Sequence, residues 1–222
     1  MKININKYID GAKEAIGIAV LIDVFRASNT IIACLHSGAD YLVPVGDLQE
    51  AYDFKNQYPD HFLFGERGGI PPEGFDCDNS PVHASQMNLK GKKIIITTSA
   101  GSQGIVNAKN VDKLLIGSFA NVEAIIGYIK KKNPENVSLI AIGNNASTPA
   151  IEDEECARYI KYKLLEQPFD FEISKKKILI GNGADRLRRL KQGQDLDFCT
   201  ELNNRNIVPI FDRKNNRIVK AL

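Results

Sequence analysis

The sequence predicts an α/β protein, three-layer α/β/α, with a mostly parallel or mixed central sheet. Three observations carry this. Short, near-continuous apolar runs rich in β-branched residues alternate with longer stretches of helical spacing. No Gly/Ser-rich or Pro-rich linker and no low-complexity tract divides the 222 residues. The composition, 43% hydrophobic and 25% charged, is that of an ordinary globular chain and excludes wholesale disorder. Strands without polar alternation bury both faces, which requires helices on both sides of the sheet. At this length about 70% of the unfolded surface can be buried. One domain over residues 1–222 is therefore expected, with a C-terminal subregion from about residue 168.

The elements follow in order. Ala15–Asp23 is an apolar run ending in an acid, then Arg26–Ser37 has helical spacing and Gly38 stands where a helix C′ glycine belongs. Tyr41–Val45 reads as a strand, and Asp47 caps a helix through Gln57. His61–Gly65 is a short strand. Lys93–Thr98 (KIIITT) is the clearest buried one, followed by a small-residue turn and a helix to about Ala108. Lys113–Ile116 is a strand, Asn121–Lys132 an amphipathic helix stopped before Pro134, Val137–Ile142 a strand, and Pro149–Gln167 a long helix opening on acids. Between them Glu66–Ser85 is rich in Gly, Pro, Asp and Asn; a structureless stretch of that length is more often functional than idle. In the tail, Arg186–Lys191 is a basic helical piece, and Ile207–Phe211 and Arg217–Val219 read as two late strands, in a lobe of their own or at an edge of the sheet. Val20–Cys34 and Leu139–Cys156 share a strand, a small polar turn and a helix, a likeness common to βα units.

Twenty-nine Lys plus Arg against 27 Asp plus Glu leave a net charge of +2, which argues against a dedicated nucleic-acid binder. No apolar run approaches the ~18 residues that span a bilayer, and the N-terminus lacks the apolar core of a secretory signal. A cytoplasmic protein is expected, with Cys34, Cys77, Cys156 and Cys199 as reduced thiols, about half of them buried as small hydrophobes. A homodimer is left open.

In open parallel sheets, ligands bind outside the carboxyl ends of the strands. That rule brings together Asp23 and Arg26, Glu66 and Arg67, Thr97 to Ser102, and Asn144, Asn145, Glu152 and Asp153. Acids, arginines and helix N-termini facing one crevice describe a divalent-metal and oxyanion site. Each piece also has a plainer reading. Asp23 can cap a helix, Arg26 and Arg67 can form surface ion pairs, and Glu152–Glu155 can serve the helix dipole. The Thr97–Ser102 turn lacks the GKS or GKT of a Walker A loop. His83 has no histidine partner at zinc-binding spacing, and Arg186–Lys191 reads as a solvated helix face.

The stretches IDVFRASNTI (Ile22–Ile31), GERGGIPPEGFDCDNSP (Gly65–Pro81) and LIGSFANVEAI (Leu115–Ile125) resemble the 2-phosphosulfolactate phosphatase family. TTSAGS (Thr97–Ser102), STPAIEDEEC (Ser147–Cys156), Asp195–Cys199 and Ile207–Pro209 extend the likeness over nearly the whole chain. It implies a Mg²⁺-dependent phosphatase that hydrolyses (2R)-2-phospho-3-sulfolactate to 3-sulfolactate and phosphate, a step of coenzyme M biosynthesis. The implied roles are Asp23, Glu66 and Asp153, with Asp76 next, as Mg²⁺ ligands or as activators of the attacking water. Arg26 and Arg67 would clamp the anionic substrate. Asn79, Ser80, Ser99 and Ser102, with the Gly101 backbone, would supply neutral donors. Two departures stand out: Ser99-Ala100-Gly101-Ser102 replaces the family's T-N-G-T, and Asp78 replaces the glycine of its GNSP loop. Asp78 is expected to bind metal or to point away from the anion. A haloacid-dehalogenase mechanism is disfavoured because Phe25 stands where its second acid is needed. A non-catalytic anion-binding module is the other alternative.

Overall fold

The computed structural model describes residues 1–221. In chain order the elements are β1 (Lys2–Lys7), α1 (Tyr8–Glu14), β2 (Gly17–Ile22), α2 (Ala27–His36), β3 (Tyr41–Pro44), α3 (Leu48–Gln57), β4 (Phe62–Gly65), α4 (Pro81–Gln86), β5 (Lys93–Thr97) and α5 (Gly101–Asn107). There follow β6 (Val111–Gly117), α6 (Val122–Lys132), β7 (Asn136–Ala141), α7 (Ile151–Leu164), α8 (Phe171–Leu179), α9 (Asn182–Arg189), α10 (Gln194–Cys199), β8 (Pro209–Asp212) and β9 (Arg217–Lys220). The strands form one mixed sheet in the order β1-β7-β2-β6-β8-β9-β3-β5-β4, with helices on both faces, as the sequence predicts.

Alternation along β2 shows why these strands are apolar throughout. Ala19 and Leu21 join the core under α1, α2 and α5, while Ile18, Val20 and Ile22 join the one under α6 to α10. In the other half of the sheet, Val43, Leu63 and Ile95 pack with α3, and Leu42, Ile94, Ile96 and Phe64 join the core beneath α2 and α5.

β1, β7, β2 and β6 are mutually parallel. So are β3, β5 and β4. The C-terminal hairpin lies between the blocks, with β8 antiparallel to β6 and β9 antiparallel to β3. Three successive antiparallel pairings therefore make the two blocks run in opposite senses. Neighbouring strands twist by about 20–25°, so the five steps from β2 to β5 turn the strand direction by roughly 100–125°. The carboxyl ends of the two blocks are thereby swung toward each other. A Cβ on Gly101, just past β5, would lie 2.9 Å from the Asp23 Oδ2 just past β2.

Several expectations are corrected. The late strands are neither an edge nor a separate lobe: they sit mid-sheet and join its halves. Glu66–Ser85 is not structureless throughout. It ends in α4, which Ser80 caps by accepting from the His83 N–H at 3.2 Å, with Pro81 in its first turn. β1 was signalled by the Ile3/Ile5 alternation of KININK, weakly because it forms an edge of the sheet. All four cysteines are buried and unpaired, rather than half of them buried. Among the described residues, no helix is long and apolar enough to cross a membrane.

Ile218 is fully buried on β9, paired with Leu42 on one side and Phe211 on the other. Ile218→Ala should cost about 2–5 kcal/mol in urea denaturation. A cost under about 1 kcal/mol would show that the hairpin is not integral to the sheet.

Candidate active site

A cavity of about 640 Å³ opens where the strand ends converge. Its lining includes Asp23 and Arg26 from the β2–α2 turn, Glu66 and Gly69 after β4, Asn79, Ser99 after β5, and Asn144 and Asn145 after β7. Glu152 and Asp153 enter from the first turn of α7, and Arg186 and Arg189 from α9. Four acids and three arginines thus share one space.

The acids differ in what already holds them. Glu66 accepts at Oε1 from the Ser99 N–H (2.8 Å) and at Oε2 from the Gly69 N–H (2.7 Å) and the Ser99 hydroxyl (3.2 Å). Asp153 accepts from the Val24 N–H at 2.7 Å and the Gly143 N–H at 2.9 Å, tying the ends of β2 and β7 together. Asp23 accepts only from the Ala27 N–H, at 3.2 Å. Glu152 accepts nothing, and its buried Oε2 has no partner. Gly183 makes room for that carboxylate, since a Cβ there would stand 2.3 Å from Oε1.

Burial raises the pKa of Asp23 to about 6; the Ala27 N–H opposes this, and the charges of Glu66 and Glu152 add to it. Burial, with the Asp23 and Glu152 charges, pushes Asp153 well above the carboxylate range. Glu152 is raised by burial as well, with Arg186 opposing.

Such a set fits a hard divalent cation. All donors are oxygens, one is a buried oxygen without a partner, and ionised carboxylates in mutual repulsion are relieved by positive charge. Among the described residues no three His, Cys, Asp or Glu side chains group closely enough to hold an ion by themselves. Mg²⁺ does not demand that: it usually keeps several waters and takes one or two carboxylates plus substrate phosphate oxygens.

Arg26 is buried and meets Asp195 of α10 at 2.8 Å, with exposures of 2% and 0% for the two side chains. Asp195 also accepts from the Ser80 hydroxyl at 2.6 Å. The guanidinium is thus aimed from behind, by a residue 169 positions away that sequence reasoning did not single out. Asn79 reaches the cavity with a buried carbonyl oxygen that has no partner.

Other expected residues lie elsewhere. Arg67 donates to the Glu66 carbonyl (2.7 Å) and the Thr97 hydroxyl (2.7 Å), bracing the loop rather than lining the cavity. Ser80 serves Asp195 and the cap of α4. Ser102 closes a reciprocal turn with Thr98, accepting from its N–H at 2.9 Å and donating its own to the Thr98 hydroxyl at 3.0 Å. Gly101 contributes by lacking a side chain, because a Cβ there would also meet Ala27 at 2.5 Å. Asp76 lies away from the cavity, accepting from the Leu63 N–H at 2.8 Å and facing Lys55. Conversely, the Arg186–Lys191 stretch is not merely a solvated face: Arg186 and Arg189 line the cavity, and Arg186 donates to Asn144 Oδ1 (2.7 Å) and the Phe25 carbonyl (3.1 Å). Their spacing of three on one helix was the available signal.

The profile of the 2-phosphosulpholactate phosphatase family matches residues 4–214. The chain belongs to the 2-phosphosulfolactate phosphatase family. Among its relatives are proteins named probable 2-phosphosulfolactate phosphatase from Carboxydothermus hydrogenoformans (33% identical, covering 99% of this chain and 97% of the relative) and Thermoplasma volcanium (32%; 91% and 93%). A third, from Caldanaerobacter subterraneus, carries the same name (32%; 86% and 86%).

Asp78, one departure from the family pattern, points away from the cavity. It accepts from the Ser80 N–H (3.1 Å) and Gln192 (2.9 Å) and meets His83 Nδ1 at 2.9 Å. In the other, Ser99 has its hydroxyl on Glu66, and Ala100, where the family pattern has its amide, lines the cavity. Phe25 lines the cavity close to Asp23, where a haloacid-dehalogenase mechanism would need an acid.

Two outcomes follow from this geometry. Asp195→Ala should lower stability by about 3–5 kcal/mol in urea denaturation, because it strands a buried guanidinium; a small change would mean that solvent reaches Arg26. In the metal-free protein, the raised pKa makes the Asp23 contribution full below about pH 4 and lost as the pH rises through about 6. Asp23→Asn should therefore gain on the parent by about 3 kcal/mol between pH 4 and pH 8, two units at 1.36 kcal/mol each. A pH-independent difference, measured in chelator, would show that Asp23 is not desolvated.

Proposed function

We propose that this chain is a Mg²⁺-dependent phosphatase acting on a small anionic phosphate monoester, 2-phosphosulfolactate, which it hydrolyses to 3-sulfolactate and phosphate. The observation that carries the reading is the shared cavity, in which desolvated carboxylates face arginines delivered by remote segments. The names borne by the relatives supply the substrate.

Asp23 and Glu152 have oxygens free of protein donors and would hold the ion, with Glu66 and Asp153 offering their remaining lone pairs. When bound, Mg²⁺ neutralises phosphate charge and polarises the phosphoryl group. Arg26, fixed by Asp195 and itself buried, would present its remaining donors to the phosphate where each charge-assisted bond counts for more than in bulk solvent. The unpartnered carbonyl oxygen of Asn79 is an acceptor and would serve the cation rather than the phosphate oxygens. The loop over Glu66 and Ser99 keeps those groups rigid before substrate arrives, so little reorganisation is needed during reaction.

Phosphate release from 2-phosphosulfolactate should require Mg²⁺ and stop in chelator. Asp23→Asn should reduce it by about 100-fold or more, the scale on which groups at a reacting centre act, while circular dichroism shows a native fold. Full turnover in that variant with unchanged Mg²⁺ dependence would remove Asp23 from the mechanism.

A further inference from the structure

The three arginines of the cavity are not equivalent. Arg26 is buried and bound to Asp195. Arg186 is half-buried, with one nitrogen on Asn144 and another on the Phe25 carbonyl. Arg189 is exposed at the rim, and among the described residues no acid or carbonyl engages it. Its neighbour Arg188 behaves as an ordinary surface residue: it points away from the cavity, pairs with Asp185 at 2.8 Å and donates to the Leu179 carbonyl at 2.7 Å. Three residues apart on α9, Arg186 and Arg189 lie on one helix face and Arg188 on another. Leu190, against Gly69, closes the wall beside them.

The cavity is also larger than a phosphate group needs. At about 640 Å³ it accommodates a ligand of many atoms. Its deep end holds the acids and Arg26; its outer end holds an unpaired guanidinium. We infer that Arg189, with Arg186 beside it, forms a subsite for a second anionic group of the substrate, a carboxylate or sulfonate, and so determines which phosphate esters are accepted. This rests on the phosphatase reading. A guanidinium fork engages two oxygens of a carboxylate or of a tetrahedral oxyanion through two parallel N–H bonds, which a lysine ammonium cannot do.

The test is selectivity: kcat/KM for 2-phosphosulfolactate divided by that for p-nitrophenyl phosphate, which carries no second acid. Arg189→Met should lower this ratio at least about tenfold, the lower end of what a charge-assisted hydrogen bond is worth. The loss should fall in KM more than in kcat, and Arg189→Lys should recover only part of it. The position is exposed, so an unchanged melting temperature is expected and checks the fold. A ratio equal to the parent's in Arg189→Met would overturn the subsite. If the parent hydrolyses neither ester, the phosphatase reading fails, and calorimetry with 3-sulfolactate decides the subsite on its own. Weaker binding in Arg189→Met supports it; equal binding, or none in the parent, overturns it.

Discussion

Everything at the candidate site depends on the way a short C-terminal hairpin joins two parallel strand blocks. Without β8 and β9, the β1–β7–β2–β6 group and the β3–β5–β4 group would each end in an unpaired edge. With them, the blocks run in opposite senses, and only accumulated sheet twist brings their carboxyl ends together. Helices α2 and α5 fill the angle between the blocks, which is why the closest approaches there are made by residues without bulk. Gly101 stands against Asp23, and Gly104 stands against Leu21 and Ile142. A helix start carrying any side chain at Gly101 would force those two strand ends apart.

Burying four carboxylates in one space is costly, and the structure meets that cost unevenly. Backbone N–H groups satisfy both oxygens of Asp153 and of Glu66, so these two acids double as ties between strand ends and loops. Asp23 and Glu152 are left underbonded in a desolvated setting, a state that stabilises nothing in the ion-free fold. Underbonded acids beside a buried Arg26–Asp195 pair make sense if the missing partner is a ligand. Asp195 shows the same division: one carboxylate oxygen holds Arg26 through a single nitrogen and leaves its other donors uncommitted to that acid.

The parts of this arrangement legible in the sequence were those with a local signature. KIIITT, the β2 run ending in Asp23 and the Asp47 cap each announce themselves within a few residues, because burial on both faces and capping are short-range demands. The rule that ligands gather at carboxyl strand ends groups Asp23, Glu66, Ser99, Glu152 and Asp153, which line one cavity, although it presumes strands running in one direction. What was hidden depends on pairing between remote segments. Nothing local separates Arg67, which braces a loop, from Arg26, which faces the cavity; the distinction comes from Thr97 and Asp195. Asp76 resembles a ligand by composition, yet its carboxylate is spent on the Leu63 N–H. Arg186 and Arg189 looked like solvated charge because a helix face has no meaning until something is packed opposite it.

The two departures from the family pattern can now be weighed by what each side chain touches. At the β5–α5 turn, Ser99 uses both its N–H and its hydroxyl to hold Glu66, so a short side chain there secures the acid and leaves Ala100 to line the cavity. The amide side chains that line the cavity are those of Asn79, whose carbonyl oxygen is free, and of Asn144 and Asn145. Asp78 adds a negative charge to the loop, but its carboxylate is held by the Ser80 N–H, Gln192 and His83 and does not line the cavity. The field inside the cavity is therefore set by its own acids and arginines. Both departures alter the supporting structure around the cavity and leave the charged groups facing it in place.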